Sequence, residues 1–177
     1  MPRDAQQSEA AWELVERARE GDRAAFGELF ALHHPAVFRV ARARLPHAAA
    51  QDAAAETFAR AWVAIPRYRR TGAPFVAWLY GITRNVVADM ARRGARTESQ
   101  AQPDLPAADP WRSRDERLDL LAALADLPEE QRRVIELKYL IGLTNDEVAA
   151  ALGKKPGAVN AQQWRALRTL ERMLGER

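Results

Sequence analysis

The chain has 177 residues, 47% of them hydrophobic, and carries a formal net charge of +3 with a sequence pI near 9.7. That length suits one ordinary domain or two small ones with real cores. There is no cysteine, which excludes disulfides and thiolate metal sites, and no apolar run of signal-peptide or membrane-spanning type, so a soluble cytoplasmic protein without membrane insertion is expected.

The charge is local rather than global. Basic residues gather at Arg67, Arg69 and Arg70, at Arg92, Arg93 and Arg96, and in the last helical segment, while acidic residues gather between Asp115 and Glu130. This pattern suits contact with nucleic acid at chosen patches and with protein elsewhere. High Ala, Leu, Arg and Glu content without strand-like alternation predicts an all-α fold.

In chain order, Met1–Gln7 reads as disordered. Ser8 can cap a helix to about Glu20 that turns Trp12, Val15 and Ala18 inward. Gly21 ends it and Asp22 caps the next, which carries Phe26, Leu29 and Phe30. Pro35 is expected to open a separate helix through Leu45, stopped by Pro46. The segment Ala48–Ile65 reads as the longest helix here, with Phe58, Trp62 and Ile65 on its buried stripe. Asp52, Glu56 and Arg60 recur every four residues on another face, either as solvent-side ion pairs or as a protein-docking face.

Pro66 ends that helix, and the loop Arg67–Pro74 combines three arginines, Tyr68 and a glycine turn. Cations with an aromatic ring suit single-stranded nucleic acid, where bases leave the stack and phosphates need positive partners. A plain surface loop is the simpler alternative. A helix then continues to Arg93, with Phe75, Trp78, Leu79, Ile82 and Val86 as a core stripe and Asn85, Asp89, Arg92 and Arg93 left polar. From Gly94 to about Trp111 the run GARTESQAQPDLPAADP is polar, holds three prolines and lacks periodicity, so it reads as a flexible linker.

A helix from Arg114, with Leu118, Leu121 and Leu124, leads to Pro128. Three further helical segments follow. The first runs from Pro128 to Leu140 with Glu129 and Glu130 at the positive end of its dipole, Val134, Leu137 and Ile141 on one face, and Gly142 as its cap. The second starts at Thr144, whose spacing to Glu147 gives a capping box, and stops at Gly153. The third opens at Pro156. A short helix, a glycine turn and a longer helix make a helix-turn-helix.

In the third segment Val159, Ala166, Leu167, Leu170 and Leu174 project to one side, and Ala161, Arg165, Arg168 and Arg172 to the other. Lys154 and Lys155 stand at its N-terminal mouth. In DNA-binding units of this kind the second helix enters the major groove with its first residues at the base edges. Asn160 and Gln162 carry amides that can pair with adenine, Ala161 can touch a thymine methyl, and the arginines suit phosphates. The alternative is a three-helix module with an ordinary solvated basic face. Gln163 on the apolar face and Trp164 toward the exposed one fit neither side.

Both halves together resemble small sigma factors of bacterial RNA polymerase, of the extracytoplasmic-function type. The resemblance spans roughly Ala24 to Leu174. It rests on DAAAETFARAW (Asp52–Trp62) and PFVAWLYGITRNVVADMARR (Pro74–Arg93) in the first half, and on LPEEQRRVIELKYLIGLTNDEVAAALG with GAVNAQQWRALRTL in the second. It implies two small helical domains, region two over residues 8–95 and region four over 114–177, joined by a Pro-containing linker over 96–113.

The resemblance also implies roles. The helix carrying Asp52, Glu56 and Arg60 would dock on a coiled coil of the largest polymerase subunit. The loop with Arg67, Tyr68, Arg69 and Arg70 would capture a base flipped from the non-template strand of the minus-ten element. The helix with Asn85, Asp89, Arg92 and Arg93 would read adjacent nucleotides and backbone. Lys154, Lys155, Asn160, Ala161, Gln162, Arg165 and Arg168 would contact the duplex minus-thirty-five element. The stretch Leu137–Gly142 would dock on the flap of the second-largest subunit. An anti-sigma factor is a common partner in the family, and no cofactor or metal is implied.

The chain departs from the family at Ala53–Ala55, where bulky apolar residues and a glutamine are frequent. It also departs at Lys155, which stands where a hydroxyl residue often caps the recognition helix, and at Asn160 and Gln163. Two other readings compete. A two-domain transcriptional regulator would share the helix-turn-helix but leave the basic aromatic loop unexplained. An enzyme would have to use His33, His34 and Asp52 as metal ligands, yet adjacent histidines on a helix point about 100° apart.

Overall fold

The computed structural model describes the backbone of residues 2–94 and 114–175 and the side chains of 11–94 and 119–175. The expected linker at 95–113 lies outside the described residues. Among the described residues the regular structure is helical throughout. The α-helices are α1 (Pro2–Arg19), α2 (Arg23–Arg42), α3 (His47–Ala64), α4 (Phe75–Gly94), α5 (Arg114–Asp126), α6 (Glu129–Ile135), α7 (Asn145–Leu152) and α8 (Pro156–Gly175). A 3-10 turn, Ile65–Arg67, follows α3, and a widened π turn, Glu136–Ile141, continues α6.

The first four helices pack α1 on α2, α2 on α3 and α4, and α3 on α4. Val15, Leu29, Val37, Phe58, Ile65 and Leu79 form the centre of that bundle. A second patch joins Ala41 and Leu45 to Ala50 and Ala53 of α3 and to Val86 and Val87 of α4. The alanines at positions 53 and 54 are fully buried where α3 is crossed by its neighbours, and bulkier side chains would have to displace them. In the second half, α5, α6 and α7 all pack on α8, and Leu124, Leu127, Ile135, Ala166 and Leu170 share one core.

The expected caps are in place. The Asp22 side chain accepts from the backbone N–H groups of Ala24 and Ala25 at 2.9 and 3.1 Å. Thr144 and Glu147 form the full capping box, and Gly142 and Gly153 end their turns in the left-handed region at φ 95° and 62°.

Several boundaries differ from the sequence expectation. The first helix begins at Pro2, ahead of Ser8. Pro35 does not start a helix; α2 runs through it without interruption. Proline removes one backbone N–H, so the carbonyl of Ala31 loses its helical donor. Ala31 and Pro35 are both solvent-exposed, so water can satisfy that carbonyl. At 18 residues α3 is shorter than α2, α4 and α8, each of 20. In α8, Val159, Ala166 and Leu170 are buried as expected, but Leu167 and Leu174 are 43% and 38% exposed. The buried stripe instead runs on to Met173, at three- and four-residue steps.

The two halves also touch. α2 and α4 pack against the π turn, and α4 meets α7.

Candidate functional site

The mouth of α8 is built by local chemistry. Gly153 turns the chain, and Lys154 N–H donates to Ala149 O at 2.9 Å. The carbonyl of Lys155 accepts from Ala158 and Val159, so Lys155 occupies the cap position with its backbone while its ammonium points to solvent. Pro156 has no N–H and Ala158 N–H is already used, so the first turn offers the N–H of Gly157, which a lysine side chain cannot accept from and which an anion can take.

On the exposed side of α8 stand Asn160, Ala161, Arg165, Arg168 and Arg172. Arg168 lies over the ring of Trp164, 5.5 Å from its centroid. Trp164, 64% exposed, therefore serves as a platform for the guanidinium. Gln163 is also accounted for. Its Nε2 donates to the Tyr139 hydroxyl at 3.0 Å, and its Oε1 accepts from Asn145 Nδ2 at 3.1 Å. The same Asn145 amide donates to Asn160 Oδ1. Gln163 thus bridges the helix-turn-helix to the end of the first segment through side chains rather than apolar packing.

Glu130 sits above this mouth. Its carboxylate takes Lys154 Nζ at 2.9 Å and Gln162 Nε2 at 3.0 Å. The hydrogen bond and charge of Lys154 hold the Glu130 carboxyl below the usual carboxylate range.

In the loop after α3, Arg67, Arg69 and Arg70 are exposed. Tyr68 is not. It is 6% exposed, and its ring centroid lies 4.9 Å from Trp78 and 5.3 Å from Phe75. The expectation that Tyr68 offers its ring to a base is corrected here. Burial raises its hydroxyl pKa, and the ring supports the loop from beneath. Arg70 lies over Trp12 at 4.7 Å. Asn85, Arg92 and Arg93 face solvent along α4. Asp89 is engaged with Arg92 and, at 3.5 Å, with Arg60 of α3. Its negative charge is therefore offset on the face expected to meet DNA.

Arg60 also pairs with Glu56 at 2.7 Å, so the expected docking face and the α4 face share one cation. Asp52 stands exposed one turn before Glu56. The histidines of the enzyme reading are packing residues. His33 lies against Phe75, and burial lowers its pKa to about 4. His34 stacks on Phe38 with its ring nearly parallel. Among the described residues no group of three or more His, Cys, Asp or Glu side chains converges on a point where a metal ion would fit.

Comparison with known proteins decides what these surfaces belong to. The family model "Sigma-70 region 2" matches residues 29–97, and "Sigma-70, region 4" matches 117–170. The chain is 37% identical over 176 residues to the ECF RNA polymerase sigma factor ShbA of Streptomyces griseus, covering 89% of this chain and 91% of that one. It is 36% identical over 174 residues to the ECF RNA polymerase sigma factor SigD of Mycobacterium tuberculosis, covering 89% and 81%. The chain is an extracytoplasmic-function sigma factor. Solved relatives share its fold. CnrH, in complex with the cytosolic domain of CnrY, superposes with a TM-score of 0.70 at 30% identity over 92% of this chain and 96% of that one. RpoE from Bartonella quintana, in complex with the anti-sigma factor NepR, does so with 0.61 at 25% identity over 85% and 96%.

This sigma factor binds core RNA polymerase and directs initiation at promoters with minus-thirty-five and minus-ten elements. Its family comprises initiation factors rather than catalysts. No helix among the described residues is long and apolar enough to cross a membrane.

Sequence reasoning missed Glu130, Asn145 and Tyr139 at the recognition helix. Glu130 carried only a helix-dipole signal, because its partners lie 24 and 32 residues away and meet it only in the folded module.

Proposed function

We propose the following division of labour within the sigma factor. Residues 8–95 form the domain that docks on the polymerase and melts the minus-ten element, 96–113 the linker, and 114–177 the domain that reads the minus-thirty-five element. Asp52, Glu56 and Arg60 dock on the largest polymerase subunit, and Leu137–Gly142 on the flap of the second-largest. Arg67, Arg69 and Arg70 hold the phosphates around a captured base, with Asn85, Arg92 and Arg93 continuing along the single strand. Tyr68 and Asp89 are positioning residues in that site.

At the upstream element, Asn160, Ala161 and Gln162 read base edges while Lys154, Lys155, Arg165 and Arg168 neutralise phosphates. The observation that carries this reading is the mouth of α8. There the open N–H of Gly157, an exposed lysine and an ordered pair of amides stand together. The protein works in the cytoplasm without cofactor and without catalytic activity of its own. Two weak sites on one chain gain affinity through effective concentration once the polymerase fixes their separation. An anti-sigma factor is a natural partner, since RpoE from Bartonella quintana was solved in complex with the anti-sigma factor NepR.

The test replaces Arg67, Arg69 and Arg70 with serine and leaves Tyr68 in place, so that the core survives. Upstream protection by the holoenzyme should persist while permanganate reactivity of the melted bases is lost. Normal reactivity would remove the loop from the melting site.

A further inference from the structure

The helix-turn-helix holds two amides of its recognition helix by opposite ends. Gln162 is held by its nitrogen: Nε2 donates to Glu130 at 3.0 Å, and an ionised carboxylate can only accept. Asn160 is held by its oxygen. Asn145 Nδ2, at the start of α7, donates to Asn160 Oδ1 and, at 3.1 Å, to Gln163 Oε1. Gln163 is anchored in turn by donating from Nε2 to the Tyr139 hydroxyl at 3.0 Å. Both N–H groups of Asn145 are therefore spent on amide oxygens.

The direction of this chain follows from what it buries. Asn145 Oδ1 is buried and accepts no hydrogen bond among the described residues. Turning the Asn145 amide over would put two N–H donors into that same spot. Buried N–H groups without partners are rarer in folded proteins than under-used carbonyl oxygens, so the oxygen goes inward. Asn160 itself is exposed, and its Nδ2 makes no hydrogen bond among the described residues. What it can show to DNA is a pair of N–H donors, with its oxygen turned to α7. Gln162 shows the reverse, an oxygen with one remaining N–H.

In the major groove guanine offers two acceptors, N7 and O6, whereas adenine sets the N6 amino donor beside its N7 acceptor. Adenine needs an amide whose oxygen is free, as at Gln162. An NH2 group alone matches guanine, as a lysine ammonium does. We propose that Asn145 decides which base Asn160 reads: by taking the Asn160 oxygen it makes that side chain a donor, selective for guanine over adenine. Asn145 touches no base and is a positioning residue. This assignment rests on Asn160 contacting a base, as proposed above; the identity of that base and the part of Asn145 go beyond it.

Asn145→Asp tests the polarity directly. Aspartate has nearly the same shape, and the first turn of a helix favours its negative charge. Its carboxylate only accepts, so Asn160 and Gln163 must both turn their nitrogens to it, and the Tyr139 hydroxyl then donates to Gln163. Asn160 is left with its oxygen and one N–H, the arrangement of Gln162. Holoenzymes carrying the unmodified chain, Asn145→Asp, Asn145→Ala or Asn160→Ala each select from a randomised minus-thirty-five element. The position that Asn160→Ala relaxes is the one Asn160 reads. The unmodified chain should prefer a G·C pair there over A·T by about tenfold, the worth of one base contact. Asn145→Asp should move that preference to A·T at this position alone, and Asn145→Ala should level it. A merely structural role for Asn145 would weaken binding to every sequence without exchanging one base pair for another. An A·T pair selected there by the unmodified chain, or G·C retained by the Asn145 variants, overturns the proposal. If Asn145→Asp misfolds, Asn145→Ala decides by the same position. Should Asn160→Ala relax no position, the base contact of Asn160 fails and this proposal with it; should it relax one that the Asn145 variants leave unchanged, only the part of Asn145 falls.

Discussion

Glu130 accepts a hydrogen bond from Gln162 at 3.0 Å, so an amide proposed to read a base is already held by a carboxylate from another helix. One amide N–H is used in that contact. The oxygen and the second N–H stay free, which is the pair of groups needed at an adenine edge. Glu130→Ala should therefore loosen Gln162 and free Lys154 together. The expected result is higher affinity for unrelated DNA at low salt, from the lost negative charge, and weaker preference at one upstream base. Selection of a randomised minus-thirty-five element by the variant holoenzyme measures both. An unchanged motif with unchanged affinity would leave Glu130 without a role in reading.

Asn160 and Arg168 test the separation of reading from anchoring. A bidentate base contact supplies about 1–3 kcal/mol of discrimination. Asn160→Ala should relax the motif at one position and leave the salt dependence of binding as it was. Arg168→Ala should weaken every promoter variant alike and flatten the salt slope, because it removes a phosphate contact. If the first leaves the selected motif intact and the second alters it, the assignment is reversed.

Charge reversal at Asp52 and Glu56 addresses docking. Both are on the solvent side of α3, and the Glu56–Arg60 pair is exposed enough that its loss has little effect on folding. The double change to lysine should lower affinity for core polymerase with a nearly unchanged melting temperature. Wild-type affinity, measured by fluorescence anisotropy of labelled protein, would move the docking face elsewhere.

His33 gives a prediction about pH. Burial holds its folded pKa near 4, below the ordinary 6.5. The unfolded chain then takes up a proton before the native one does, so stability falls as pH drops from about 6.5 to about 4 and levels off below. At pH 5 the loss is about 2 kcal/mol relative to pH 7. His33→Leu should remove this part of the slope. Urea titrations at pH 7 and pH 5 provide the check; an identical slope in the variant would show that other groups carry it.

The features legible in the sequence are those decided within a turn or two of chain. Asp22, the Thr144–Glu147 box, Gly142 and Gly153 all act on their own neighbours, and the basic face of α8 follows from helical periodicity alone. The misread features depend on distant partners. Tyr68 is buried because Trp12 and Trp78 close over a loop that looks open by composition. Pro35 is tolerated because the carbonyl it deprives of a donor faces water, and that depends on which side of α2 the bundle covers. Glu136 draws no reading at all, since the Tyr80 hydroxyl that binds it comes from 56 residues away.

The π turn at Glu136–Ile141 has a consequence for chain length. Its backbone closes from Gly142 N–H to Leu137 O, five residues back rather than four. One residue is therefore accommodated as a bulge instead of advancing the helix. Deleting a single position there, such as the exposed Tyr139, would let the segment tighten into an ordinary α-helix. Each residue of an α-helix turns its successors by about 100°. Glu136 lies ahead of the bulge, its N–H bonded four residues back to Arg132 O, so the bulge leaves it in register with Glu130 and instead sets the course of the chain that follows. Losing one residue here would turn α7 and α8 by about 100° about the axis of α6 and carry Lys154 and Gln162 away from Glu130.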